Sequence, residues 1–192
     1  MNENPARVVS SEDEALILVD EADNEIGHLS KAECHDAGGV LHRAFSVFLF
    51  NSNGQLLLQK RAAGKRLWPL FWSNSCCSHP RRGESLELAA TRRLEDELHA
   101  RGNLEHVYHF IYQASFDDLG SEHELCHVFL GRIEGDPRAN TTEIAEVRYV
   151  SAEQLDRELE SEPQAFTPWF KLEWRRLRED YPSVLSRYLT SA

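Results

Sequence analysis

Apolar and polar positions alternate along this chain in short blocks, and the period of each block assigns an element. ALILVD, from Ala15 to Asp20, has the length of a short buried strand. An acidic segment through Asn24 turns it, and Ile26 to Leu29 return as a hairpin partner. Ser30 and Glu33 have capping-box spacing, which predicts a short helix over Lys31 to Asp36. After Gly38-Gly39, LHRAFSVFLF reads as a strand, and Asn53-Gly54 predicts a hairpin into QLLLQKR, ending near Arg61. AAGKRLWPL is then a loop anchored by Trp68. The next strand ends in Cys76-Cys77-Ser78-His79-Pro80. Strand alternation puts Cys77 and His79 on one face and Cys76 on the other. Pro80 stops the ladder, and Gly83 allows a tight bend.

From about Glu84-Ser85 the period changes. Leu86, Ala90, Leu94 and Leu98 recur every four residues, with Ala89 beside them, which is the apolar stripe of a helix. Glu97 borders that stripe, where a carboxylate either points into a cleft or joins a solvated face. Glu105 to Phe116 is a long strand, joined by DDLGS to EHELCHVFLGRIE, which sets Glu122 and Glu124 on one face. EVRYV is a further strand, Ser151 and Gln154 cap a helix over Ala152 to Glu160, and Thr167-Pro168 open a helix running to about Asp180. Tyr181-Pro182 breaks it before a last helix. Strands around one central helix, followed by terminal helices, predict an α/β (α+β) fold with a mixed sheet between helical layers.

The 192 residues fit one domain with a sizeable core, and residues 1–13 read as a polar, frayed start. A formal net charge of −11 argues against nonspecific nucleic-acid binding and against an anionic membrane surface, though a local basic cluster can still hold an anion. Neither a membrane-length apolar run nor a signal-peptide core is visible, so a cytoplasmic location is expected. The cysteines Cys34, Cys76, Cys77 and Cys126 lack framework spacing and are expected free, catalytic or metal-bound.

Candidate chemistry gathers around the central stretch. His35, His42 and His79 with Glu122 and Glu124 could supply three nitrogens and two carboxylates, a set suited to Mn²⁺, Fe²⁺ or Zn²⁺ with open positions; surface or core histidines are the plainer alternative. Cys77 beside His79 could be a nucleophile or a general acid, or a small buried residue. Lys31, Arg61, Lys65 and Arg93 each sit near a motif end and could clamp a diphosphate, or be ordinary surface charge. From Ser78 the chain tracks the Nudix box, matching it at Glu84, Arg92, Leu94 and Glu97. It departs at Ser78, Arg93, Asp96 and His99, and the loss of a carboxylate at Arg93 should damage the Mg²⁺ cluster of a diphosphate hydrolase.

The sequence resembles the type I isopentenyl diphosphate isomerases over nearly its whole length. SNSCCSHP, RRLEDEL, EHELC and TPW carry the likeness. The resemblance implies a single Nudix-like domain with extra N-terminal strands and C-terminal helices. It implies interconversion of isopentenyl and dimethylallyl diphosphate through a tertiary carbocation, with a Nudix-type diphosphate hydrolase as the rival reading. It implies a Mn²⁺ or Zn²⁺ held by His35, His42, His79, Glu122 and Glu124, and a Mg²⁺ on Glu97 and the main-chain carbonyl of Cys77. Cys77, Glu124, Tyr112 and Trp169 match the catalytic positions, and Lys31, Arg61, Lys65 and Arg93 the diphosphate-binding ones. The expected partner is a small-molecule diphosphate, with neither nucleic acid nor membrane, in a monomer or weak dimer.

Overall fold

The computed structural model describes residues 7–190. The strands are β1 (Ala15–Val19), β2 (Glu25–Ser30), β3 (His42–Phe50), β4 (Leu56–Arg61), β5 (Trp72–Ser73), β6 (Cys76–Ser78), β7 (Leu104–Phe116), β8 (Gly120–Arg132) and β9 (Ile144–Val150). The helices are α1 (Lys31–His35), α2 (Leu86–Leu98), α3 (Ala152–Ser161), α4 (Pro168–Glu179) and α5 (Pro182–Leu189). Every predicted element is present, within a few residues of its expected ends.

The nine strands form one mixed sheet. β8 lies between β7, antiparallel, and β3, parallel over nine residue pairs from His42↔Glu124 to Phe50↔Arg132. Alternation along β3 sorts the core. Phe45, Val47 and Leu49 pack under α2 with Ala89, Ala90, Leu94 and Leu98. Ala44, Phe48 and Phe50 pack against Leu155, Phe170, Trp174, Leu177 and Leu185 of the C-terminal helices. The sheet is thus sandwiched as expected.

One expectation needs correcting. The Asn53-Gly54 turn forms, with Gly54 at φ 72°, but the β3–β4 ladder holds a single pair, Phe50↔Leu56. The strands splay because residues 72–78 wedge between them. β5 pairs with β4, β6 pairs with β3, and the Ser75 hydroxyl donates to Leu57 O (2.6 Å) while accepting from Leu49 N (2.8 Å). Splaying is what opens the sheet where Cys77 sits. Residues 7–13 belong to the stretch expected to be frayed. They form no strand or helix, but Val9 O accepts from Arg93 Nη1 (2.6 Å) and Ser10 Oγ from Lys31 Nζ (2.9 Å). Residues 1–6 lie outside the described part of the chain.

Candidate active site

His42 opens β3 and pairs across the parallel ladder with Glu124, so both side chains emerge on the face toward α4. His35 ends α1, a five-residue helix whose capping box is made in both directions by Ser30 and Glu33. His79 follows β6, and Glu122 stands two residues before Glu124 on β8. Four separate segments therefore deliver five ligand groups whose donor atoms all lie within 4.8 Å of one another. The three imidazole centroids are 4.9–5.7 Å apart.

The cluster's internal bonding fits a cation. His42 Nδ1 donates to Val40 O at 2.7 Å, which turns Nε2 to the centre, the usual outer support of a metal-binding histidine. His35 Nε2 and Glu122 Oε2 approach to 2.9 Å without the alignment of a hydrogen bond, and both are buried without any hydrogen-bond partner. Buried polar atoms so placed are costly unless a further group joins them. His79 Nε2 lies 3.2 Å from His42 Nε2 and 3.0 Å from Glu124 Oε1. Burial pushes the His79 imidazole down to about 4, which leaves it neutral and able to ligate. Burial works against ionising Glu124, but its contacts with His42 and His79 outweigh it and hold the carboxyl well below the usual range. Its second oxygen accepts from the Tyr112 hydroxyl at 2.6 Å.

Cys77 pairs with Ser46 of β3 and faces α4, whereas Cys76 pairs with Val47 and is buried in the α2 layer. The alternation predicted for this pair holds. The Cys77 thiol donates to Asn74 Oδ1 at 2.8 Å and accepts from Trp169 Nε1 at 3.2 Å. Burial pushes it up to about 12, so it keeps its proton at neutral pH. Cys77, Glu124, Tyr112, Trp169, His35, His79 and Glu122 line one cavity of about 300 Å³.

The four predicted basic residues line the same cavity. Arg61 donates to Trp68 O and Leu67 O, both at 3.0 Å, and its guanidinium carbon is 5.3 Å from the centre of the Trp169 ring. Lys31 is 3.4 Å from Glu12 Oε1. Lys65 pairs with Glu143, and Arg93 Nη2 stands 3.5 Å from the same carboxylate. Arg93 also holds Glu97 through Nε at 2.9 Å and Nη2 at 2.5 Å. Glu97 is therefore buried against its i−4 neighbour, behind the residues that line the cavity.

Sequence reasoning missed Glu143. It is 3% exposed and neutralises Lys65 and Arg93, yet it follows an irregular stretch with no pattern to mark it. It also missed the polar cradle of Cys77. Ser73 Oγ lies 2.9 Å from both Asn74 Oδ1 and Thr167 Oγ1. Asn74 sits inside the SNSCCSHP motif and could have been found there. Thr167 is the N-cap of α4, before Pro168 as expected, but makes no side-chain cap bond, and its hydroxyl serves this network instead.

Comparison with known proteins identifies the family of the chain. A family model described as the NUDIX domain matches residues 40–170. Isopentenyl-diphosphate Delta-isomerase 1 of Photorhabdus laumondii is 40% identical over 170 residues, covering 88% of this chain and 97% of the relative. The Nocardia farcinica isopentenyl-diphosphate Delta-isomerase is 45% identical over 153 residues, covering 79% and 87%. Among solved structures, a Deinococcus radiodurans protein superposes with a TM-score of 0.69 at 24% identity, covering 85% of this chain and 98% of its own, which is a likeness of fold. With relatives this similar over most of both chains, the protein belongs to the isopentenyl-diphosphate Delta-isomerase family, built on the Nudix fold.

Proposed function

We propose that this chain interconverts isopentenyl and dimethylallyl diphosphate, moving a carbon–carbon double bond by adding a proton on one side and removing one on the other. The observation that carries the reading is the shared cavity of the Cys77 thiol and the Glu124 carboxyl. An alkene is a very weak base, so its proton donor must be aligned and shielded from water. At neutral pH the thiol is protonated and the carboxylate is ionised, so the pair holds one proton between two groups. One can give while the other takes, and reversal of the reaction exchanges their parts. Tyr112 donates to Glu124 and Trp169 donates to Cys77, so each member is oriented by an aromatic side chain. The Trp169 face also offers cation–π stabilisation to a tertiary carbocation, about 2 kcal/mol when desolvated. With Trp169 and Tyr112 both buried, water that would trap the cation is kept away.

His35, His42, His79, Glu122 and Glu124 would hold a divalent ion, Mn²⁺ or Zn²⁺ by their donor types. Such an ion would fix the Glu124 carboxyl and polarise it as a Lewis acid. Lys31, Arg61, Lys65 and Arg93 would receive the diphosphate, whose binding energy lies away from the reacting carbons. An arriving diphosphate competes with Glu143 for Lys65 and with Glu97 for Arg93. Release from Arg93 frees Glu97, which with the Cys77 main-chain carbonyl would hold Mg²⁺. The test is incubation with isopentenyl diphosphate and Mg²⁺ in deuterated water. Deuterium-labelled dimethylallyl diphosphate is the expected product, and inorganic phosphate release without it would overturn the reading in favour of a hydrolase.

A further inference from the structure

A second group of imidazoles gathers on the opposite face of the β7–β8 ribbon. His106 and His109 stand on β7 at an odd separation, which in a regular strand points them to opposite faces. The register between β7 and β8 shifts between His106 and Tyr108, so Val107 is the extra residue of a β-bulge. A bulge re-aims the side chains beyond it. Here it brings both histidines to one face: His109 pairs with His127, and His106 pairs with Phe129, two residues further along β8. Phe129 packs in the α2 layer, so this face is turned away from the cavity that holds Glu124.

One nitrogen from each of His106, His109 and His127 lies within 4.8 Å of the other two. His106 Nε2 and His127 Nδ1 are 3.0 Å apart. Two nitrogens on a single tetrahedral zinc, each at about 2.05 Å, sit roughly 3.3 Å apart. On its other edge, His127 Nε2 donates to Asp23 Oδ2 at 3.0 Å, which leaves Nδ1 as the bare nitrogen facing His106. Arg43 Nε donates to the other oxygen of Asp23 at 2.7 Å, so that carboxylate is held as an orienting group. His127 is buried, while His106 and His109 are exposed, which gives an ion an entry path.

We propose that His106, His109 and His127 form a second transition-metal site, separate from the active site, with Asp23 orienting His127 and solvent completing the coordination. An all-imidazole set favours Zn²⁺, Ni²⁺ or Cu²⁺ over Mg²⁺ and Mn²⁺. An ion there ties β7 to β8 through two strands and, through Asp23, to the β1–β2 turn. The test is equilibrium dialysis of the purified full-length enzyme against micromolar Zn²⁺, with metal measured by mass spectrometry. The wild type is expected to retain one more zinc equivalent than the double variant His106→Ala/His109→Ala, with isomerase turnover equal in the two. Both side chains are solvent-facing, and the single variants His106→Gln and His109→Gln are dialysed alongside to give the same comparison should the double variant misfold. Equal zinc content in wild type and variants overturns the proposal and leaves the isomerase reading untouched.

Discussion

The Cys77 thiol and the Cys76 thiol are neighbours in sequence with opposite surroundings. Cys77 meets Asn74, Trp169 and the cavity, whereas Cys76 is sealed in the α2 layer. Cys77→Ala is expected to lower turnover of isopentenyl diphosphate by about 10²–10⁴-fold, the usual weight of a positioned proton-transfer group. Cys76→Ala should leave turnover within a few fold, since the lost atoms face only packing; an equal loss in both would refute the assignment. Glu122→Gln removes one anionic donor from the cluster where its Oε2 and His35 Nε2 are both unsatisfied. Metal retained after dialysis should fall by roughly tenfold or more. At this scale the chain was largely legible. The motif spacing pointed to Cys77, His79 and the two glutamates, because strand alternation fixes side-chain direction locally. Glu143 was not, because its role comes only from the cations that the fold brings to it.

Among the elements, the turn between β3 and β4 is set by a backbone constraint. Gly54 has φ 72°, and a Cβ there would lie 2.1 Å from Leu189 O at the end of α5. Gly54→Ala therefore combines left-handed strain with a clash against main chain, and it is expected to destabilise the fold by about 1–3 kcal/mol. The midpoint of urea denaturation measures this, and an unchanged midpoint would show that α5 gives way freely. The Asn-Gly pair announced the turn. It could not announce the splayed ladder, since residues 72–78 compete for the same strand edges from a distance in sequence. The bulge at Val107 was equally invisible, because an apolar residue inserted in an alternating strand leaves the pattern readable on either side.

Across the whole molecule, the sheet separates an α2 side from a side covered by α3, α4 and α5, and the second side carries an unusual buried acid. Glu173 of α4 is fully buried, accepts from the Cys126 thiol at 3.4 Å, and has a carboxyl pushed up to about 8 by burial. Unfolded, it would ionise near 4.5. Between these values the folded state holds the extra proton, so stability contributed by the protonated form declines as pH rises toward about 8. Glu173→Gln, which fixes a neutral side chain, should flatten that decline in urea denaturation from about pH 5 to 8. An unaltered slope would show that Glu173 ionises normally. Among the described residues no helix is long and apolar enough to cross a membrane.

The sequence by itself determined the elements and their faces, because hydrophobic period, capping residues and turn residues act within a few positions of the chain. Through motifs tied to a family it also pointed to residues that the fold brings to one cavity, Cys77, Tyr112, Glu124 and Trp169 among them. Tertiary structure alone decided that Arg93 covers Glu97, that Thr167 supports Ser73 rather than its own helix, and that three histidines share the rear face of β7 and β8. Each of those depends on which of several available partners lies within hydrogen-bond reach, a choice made only when distant segments pack and water is excluded between them.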